Sequence, residues 1–277
     1  MTLPPTLGEA AVAVLTTPAP VDKIALTHEL ARAWRAGALP VGDPVAPPAR
    51  PARPEKPELR LPRDMPKRRA AGSAANRVAL LHALAHIELN ALDLALDLIA
   101  RFGGDRPRDF YDDWLRVADE EATHHDLLAV RLAALGAAYG DLPAHDGLWQ
   151  AAEATSHDLL ARLAVVPLVL EARGLDVTPA MIASLEGAGD AEDAAVLRRI
   201  YQDEIGHVAI GRKWFDVVSA ERGLAPEPTW QNLVRRHFKG RLKRPFNAEA
   251  RAQAGLPPRL YEPLADGADA PPETLSA

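Results

Sequence analysis

The amino-acid sequence predicts an all-α fold with a four-helix bundle at its centre. Alanine and leucine dominate the 277 residues and only 5% are aromatic, a composition that favours helices over sheets. Four long segments repeat apolar residues at alternating spacings of three and four, the pattern of a helix with one buried face. A chain of this length can form one large domain or two small ones.

Composition and charge exclude several classes of site. The chain has no cysteine, which excludes disulfides, thiolate metal sites and cysteine nucleophiles. Its formal net charge of −6 favours solubility and argues against a general nucleic-acid binder. The first residues, Met1–Pro20, show no signal-peptide pattern, and no apolar run reaches the roughly 18 residues of a membrane span. We therefore expect a cytoplasmic protein without a membrane partner.

The N-terminal part is predicted to be helical. Residues 1–38 form a helical segment with two modest helices, at Thr6–Thr16 and at 21–36. The second carries an apolar residue every fourth position, which gives it one buried stripe.

A proline-rich arm is predicted at residues 39–72. Nine prolines lie between Pro40 and Pro66, too many for a packed helix or strand. The arm could be a free linker, or it could wrap over the bundle. The apolar residues Leu59 and Leu61 favour the wrapped arm.

Residues 73–223 are predicted to form the bundle. Four long helices and one short one are expected, at Ala75–Phe102, Pro107–Tyr139, Asp146–Arg173, Thr178–Gly187 and Asp190–Gly223. Ser73, Asp146 and Asp190 are predicted N-caps, because their side chains can accept from free backbone N–H groups. Pro167 is expected to kink the third long helix.

Residues 224–277 are predicted to be a partly irregular C-terminal extension. One short helix is expected at Trp230–Phe238, and the tail Pro257–Ala277 is rich in proline, alanine and acid. A basic run with no acidic residue begins inside this helix and ends before the tail: Arg235, Arg236, Lys239, Arg241, Lys243 and Arg244. The run is predicted to be a solvated face or a set of anchors to acidic surface, with nucleic-acid binding as the alternative.

Two copies of the motif Glu-x-x-His lie on the bundle helices. Residues three apart on a helix project from the same face. In each half of the bundle a further glutamate precedes the motif by 33 residues. One Glu from each of two helices and Glu-x-x-His from each of two others form the ligand set of a di-metal carboxylate bundle. The predicted metal ligands are Glu88, Glu121, His124, Glu171, Glu204 and His207.

Position on the helices favours metal binding over the alternative of tilted surface residues. All six side chains fall on apolar stripes, where leucine or alanine is expected. Four carboxylates buried together would repel one another, and two divalent cations would neutralise them and keep the histidines neutral as ligands. Carboxylate and imidazole ligands suit iron or manganese. Two iron ions are the favoured prediction, because bundle sites of this composition activate dioxygen.

Other polar residues are given supporting roles. Asp203 precedes a ligand and can hydrogen-bond the second ring nitrogen of a ligating histidine. His82 and His86 lie off the metal stripe and are predicted to be packing or surface residues. His125, beside a ligand, is predicted to support the structure or the ligands rather than to coordinate, and His157, several turns from Glu171, is assigned no role. The polar side of the first long helix is predicted to be solvated or covered by the arm: Asn90, Asp93 and Asp97. No catalytic residue is assigned.

Four segments carry a resemblance to a known family: His82–Glu88, Asp119–His125, Val169–Gly174 and Asp203–Gly211. They resemble the ferritin-like family called domain of unknown function 455, over nearly the whole chain. More distantly, the chain is similar to the ferritin-like di-iron tRNA hydroxylases. The resemblance implies a ferritin-like bundle with a di-iron site whose six ligands fall on the six positions above. It implies no substrate. Glu171 lies only three residues before Gly174, so the two halves are not fully symmetric.

The favoured function is an oxidase or hydroxylase that uses dioxygen on a small organic substrate, with an unknown electron donor. One alternative is an iron-storage or peroxide-detoxifying protein of the ferritin kind. The long segments outside the bundle argue against the closed shell of such proteins, so we expect a monomer or dimer. An RNA-modifying hydroxylase and a metal-free structural protein are the remaining alternatives.

Overall fold

The computed structural model describes residues 3–65, 72–239 and 241–265, and over these ranges the fold is all-helical, which confirms the predicted class. The α-helices are α1 Leu7–Leu15, α2 Pro20–Arg35, α3 Ala74–Phe102, α4 Arg108–Ala134, α5 Gly147–Ala154, α6 Leu159–Val165, α7 Ala172–Gly187, α8 Ala191–Glu221, α9 Pro226–His237, α10 Ala248–Gln253 and α11 Pro258–Tyr261. A π-helical turn, Val166–Glu171, lies between α6 and α7. Short 3₁₀ turns lie at Pro62–Asp64 and Glu262–Leu264.

The chain divides into two compact units. Unit 1 comprises residues 1–156 and 180–200, and unit 2 comprises residues 157–179 and 201–277. The helices α7 and α8 each contribute residues to both units.

In unit 1, α3 and α4 pack along each other, with α1 against α3 and α2 against α4. An apolar cluster fills one end of this unit: Leu81, Ala85, Leu128, Leu132, Leu185, Ala194, Leu197 and Ile200. Burying a leucine side chain contributes about 1.5–3 kcal/mol, so this cluster is a main source of stability for the helices that carry the glutamates.

Two of the three predicted caps are confirmed. Ser73 accepts from Asn76 N at 3.3 Å, and Asp190 accepts from Asp193 N at 3.1 Å. Asp146 occupies the predicted N-cap position of α5, but its side chain forms no capping hydrogen bond; its carboxylate pairs with Arg50 of the arm instead. For this carboxylate, the ion pair with the Arg50 guanidinium is more favourable than a single capping hydrogen bond.

The predicted third helix, Asp146–Arg173, is wrong as one continuous element. It breaks after α5, and α6 starts behind a new cap, Asp158, which accepts from Leu160 N at 2.6 Å. Pro167 lies in the π-helical turn, so the expected kink is present as a change of helix type. Proline has no N–H group and therefore leaves one helical hydrogen bond unmade. A π-helical turn is a common way to accommodate the missing bond.

The predicted stop at Gly174 and the separate helix Thr178–Gly187 are also wrong. α7 runs without interruption through both. A glycine costs only about 1 kcal/mol in a helix interior. Burial of Leu175 and Leu185 on this helix offsets that cost.

The proline-rich arm wraps over unit 1, as predicted. Its backbone bonds to helical and loop backbone, with Ala52 N donating to Leu15 O at 2.8 Å and Arg60 N to Ala144 O at 2.8 Å. The expected reason was wrong, because Leu59 and Leu61 are 44% and 48% exposed. Ion pairs and backbone bonds hold the arm, and these depend on tertiary neighbours that a sequence pattern does not reveal.

In unit 2, the C-terminal extension packs on the π-turn region. Trp230 is fully buried and donates its indole N–H to Ala164 O at 3.1 Å. The tail was predicted to be irregular from Pro257, but Leu260 and Tyr261 on α11 are buried. The last twelve residues of that prediction, 266–277, lie outside the described residues.

One helix among the described residues, α3, is long and apolar enough to cross a membrane by length and composition. Of its most apolar window, 67% is buried inside the protein. A mostly buried core helix passes the same test, so this single helix is weak evidence for a membrane span.

Candidate metal centre

Three of the six predicted ligands lie together in unit 1. Glu88 projects from the middle of α3, and Glu121 and His124 project from one face of α4. The His124 Nδ1 atom lies 3.2 Å from Glu88 Oε2 and 3.4 Å from Glu121 Oε2. All three side chains are buried, and one ligand atom from each lies within 4.8 Å of the others. A buried cluster of glutamate and histidine with this spacing could bind a metal ion.

The electrostatics of Glu88, Glu121 and His124 favour a bound cation. Burial and the neighbouring charge of Glu121 raise the pKa of Glu88 to about 8. Burial alone would lower the pKa of His124, but the carboxylates of Glu121 and Glu88 raise it to about 11. Without a metal the cluster therefore retains protons at neutral pH to balance its carboxylates. A divalent cation would take over that role and displace the protons.

The second motif lies in unit 2. On α8, His207 Nδ1 is 3.4 Å from Glu204 Oε1, and His207 is fully buried whereas the side chain of Glu204 is 13% exposed. This pair repeats the local geometry of Glu121 and His124, as the shared three-residue spacing predicts.

Glu171, the remaining predicted ligand, is the last residue of the π-helical turn. The turn packs closely on α8, because a Cβ added at Gly211 would lie 2.4 Å from Pro167 Cβ. Glycine at this position therefore allows the turn to approach the helix that carries His207. The π turn was not foreseen; an in-helix proline a few residues before a predicted ligand is the signal that could have revealed it.

The complete six-residue ligand set, and the role of Asp203 beside it, remain predictions. Three ligands are brought together within unit 1, and two within unit 2.

The off-stripe histidines of unit 1 pack around one tyrosine, as expected for packing residues. The Tyr139 ring stacks on His82 and His86 and meets His125 edge to face, with centroid distances of 5.4, 6.1 and 5.2 Å. Burial and nearby Arg53 lower the pKa of His86 to about 3, and burial lowers that of His125 to about 4. Both are therefore neutral. His157 of unit 2 is exposed.

The polar side of α3 is covered by the arm and α2, the second of the two predicted possibilities. Asp93 is fully buried and pairs with Lys23 at 2.6 Å and with Arg53 at 2.7 Å. Asp97 is also buried and pairs with Arg101.

The basic run lies on the surface of unit 2. Arg244 pairs with Glu262, which fits the predicted anchoring role for that residue. Over the described part of the chain, four exposed members of the run form no ion pair: Arg235, Arg236, Lys239 and Lys243. Nucleic-acid binding by this run stays a prediction.

Comparison with known proteins decides the family. The model of a protein family of unknown function, DUF455, matches residues 16–262. The chain belongs to this family. An uncharacterized protein of Haemophilus influenzae is 45% identical over 201 residues, which cover 70% of this chain and 69% of the relative. No solved structure matches the chain. The ferritin-like relationship that the sequence suggests therefore stays a prediction.

The metal-free protein is expected to lose stability as pH rises from about 5 to about 8. The pKa of Glu88 is about 8 in the folded protein against an ordinary 4.5, so the stability that its protonated form contributes is complete below pH 4.5 and is lost as pH rises through about 8. The raised pKa of His124 acts in the same direction, from pH 6.5 upward. Urea unfolding of chelator-treated protein should show a loss on the order of 4 kcal/mol across this range.

Glu88→Gln should flatten this pH dependence, because the amide stays neutral in both states. Glu120→Gln, on α4 beside the proposed ligand Glu121, is the control and should keep the pH dependence. Equal pH slopes for wild type and Glu88→Gln would contradict the assignment.

Proposed function

We propose that the chain is a di-metal carboxylate protein that holds two iron ions and activates dioxygen to oxidise or hydroxylate a small organic substrate. The observation that carries the proposal is the buried group of Glu88, Glu121 and His124, two carboxylates and an imidazole within 4.8 Å of one another. Burial of a carboxylate without a partner costs free energy. Where buried carboxylates lie close to a histidine, a bound metal ion commonly compensates that cost.

The second motif supplies the matching half of the ligand set. Glu171, Glu204 and His207 repeat the residue types and the 33-residue spacing of the first half. Together the two halves offer four carboxylates and two imidazoles, which balance two divalent cations. Manganese is the alternative metal for the same ligand types.

The chain's own residues have defined tasks in this function. The glutamates hold the metals by their carboxylates, and the histidines bind as neutral imidazoles. Bound ferrous ions would supply the electrons that reduce dioxygen. The full burial of Glu121 and His124 keeps bulk water away from the ligands. Because Glu88 holds a proton near neutral pH in the metal-free state, metal uptake should release protons and should strengthen as pH rises.

Storage of iron in a ferritin-type shell and modification of RNA are the alternative functions. The enzyme proposal is preferred because long segments precede and follow the helices that carry the ligands, and such segments can shape a substrate pocket. A shell of many subunits would elute far ahead of a monomer or dimer in size-exclusion chromatography.

Metal analysis followed by a dioxygen measurement tests the proposal. Protein purified from its native cell should contain about two iron ions per chain, and anaerobic loading with Fe(II) should restore that number after chelation. On exposure to air the loaded protein should consume dioxygen in proportion to bound iron. Iron that never exceeds a small fraction of one ion per chain would reject the proposal, and so would loaded protein that consumes no more dioxygen than free iron.

A further inference from the structure

A cavity of about 320 Å³ opens between the proline-rich arm and the body of unit 1. The arm contributes Arg53 and Leu59 to its walls, and the body contributes His86 and Tyr139. None of the proposed metal ligands lines it. Small-molecule sites have volumes of roughly 300–1,000 Å³, so the cavity is large enough for a compact ligand.

The inner wall of the cavity is held in a fixed arrangement. His86 Nε2 lies 3.2 Å from the His145 carbonyl, which only accepts, so this nitrogen carries the ring proton. His86 Nδ1 then accepts from the Tyr139 hydroxyl at 2.9 Å. Stacking on His82 fixes the tyrosine ring further. The phenol oxygen is therefore held in place beside the cavity.

Two cations share one carboxylate beneath this wall. Lys23 and Arg53 contact the same carboxylate, Asp93, at 2.6 and 2.7 Å, and Lys23 and Asp93 are 1% and 0% exposed. The other partner of Arg53 is neutral, since its Nη2 atom donates to Asn90 Oδ1 at 2.6 Å. One carboxylate thus faces two buried or half-buried cations, and an anion in contact with Arg53 would give that guanidinium a counter-charge of its own.

Arg53 is the cation that reaches the cavity. A guanidinium has five N–H donors in a planar fork that matches the two oxygens of a carboxylate. Its Nη1 atom pairs with Asp93 without forming a hydrogen bond, and its Nη2 atom gives one donor to Asn90, so donors remain for a bound oxyanion.

The outer wall limits the kind of anion. Pro54, Pro57 and Leu59 make it apolar, and Leu59 is 44% exposed, so a ligand with an apolar body would cover it. The exposed carboxylates of Glu55 and Glu58 also lie on this side, and they disfavour a ligand with several negative charges.

We propose that this cavity is a binding site for a small monocarboxylate with an apolar body, and that Arg53 anchors its carboxylate while Leu59 and the arm prolines cover the rest. Tyr139 contributes the fixed polar wall. The site is built from unit 1 alone and does not depend on the metal centre.

Calorimetric titration of the full-length protein with benzoate tests the proposal, with benzamide as the uncharged probe of the same shape. We expect saturable benzoate binding with a dissociation constant on the order of a millimolar, and benzamide binding about tenfold weaker. Arg53→Gln should weaken benzoate binding about tenfold or more. Arg63→Gln is the matched control: Arg63 is an exposed arm residue that does not line the cavity and pairs with the exposed Asp64, so benzoate binding should be unchanged.

A second variant separates loss of the site from loosening of the arm. Leu59→Asp changes an exposed side chain, and the backbone bonds of the neighbouring residues with Ala144 do not involve it. It should abolish benzoate binding without changing the thermal unfolding temperature. The proposal is overturned if benzoate binds wild type, Arg53→Gln and Leu59→Asp equally, if benzamide binds as well as benzoate, or if no saturable binding occurs. Binding that disappears when the protein is treated with a chelator would also overturn it, because the benzoate would then be bound to metal.

Discussion

His124→Ala is expected to reduce bound iron from about two ions per chain to fewer than one and to abolish iron-dependent dioxygen consumption. His124 lies 3.2 Å from the Glu88 carboxylate and 3.4 Å from that of Glu121, so its loss removes the imidazole that joins the two. The remaining carboxylates would then face each other in a buried site with one neutral ligand fewer. Elemental analysis after anaerobic loading measures the effect.

Two further variants make this test specific. His157→Ala replaces an exposed histidine and should leave the iron content unchanged. His207→Ala should reduce iron as strongly as His124→Ala, since the proposal gives both motifs the same task. If His124→Ala retains its metal while its unfolding curve matches wild type, the ligand assignment is wrong. If only His207→Ala retains metal, the site holds one metal and the second half of the proposal is wrong.

Asp176→Ala is expected to destabilise unit 2 by about 3–5 kcal/mol. Both Asp176 oxygens accept from Arg251, at 2.8 and 2.7 Å, and one also accepts from Asn247 N at 3.0 Å. Arg251 is 2% exposed, so removal of the carboxylate leaves a buried guanidinium without its counter-charge. Urea unfolding should show the loss, and limited proteolysis should cut first in residues 241–265.

Glu262→Ala is the control for the buried pair. It removes the partner of Arg244 in the same extension, where the two side chains are 38% and 54% exposed, so the cost should be about 0–1 kcal/mol. If the two alanine variants cost the same, the Asp176 pair has no special role in holding the extension.

The part of the site that the sequence predicts best is the part governed by local geometry. A separation of three residues on a helix places Glu121 and His124 on one face whatever the surroundings. The apolar stripe then indicates that this face is buried, and both residues are fully buried. Glu88 could be predicted as a third ligand because it interrupts the same kind of apolar stripe on another helix.

Features that depend on distant partners could not be predicted in the same way. Asp146 has the residue type and position of a cap, but Arg50, almost a hundred residues earlier, takes its carboxylate. Helix α7 passes through Gly174 because tertiary burial offsets a weak local preference. The wrapped arm was predicted from its leucines, whereas buried charge on Asp93 is what holds it. Sequence patterns record propensity and periodicity, and they do not record which charges meet.

The composition of the arm also affects the unfolded chain. Between Arg50 and Pro57 a basic residue precedes proline at every third position, as Arg50-Pro51, Arg53-Pro54 and Lys56-Pro57. Three residues is one turn of a polyproline helix, and each proline fixes its own φ and restricts the residue before it. The basic side chains therefore have fewer backbone conformations to lose when they reach Glu153 and Asp93. The segment Arg50–Pro57 has no regular backbone hydrogen bonds of its own. It can stay docked on unit 1 through a few contacts, because its unfolded chain has less conformational entropy to lose on folding.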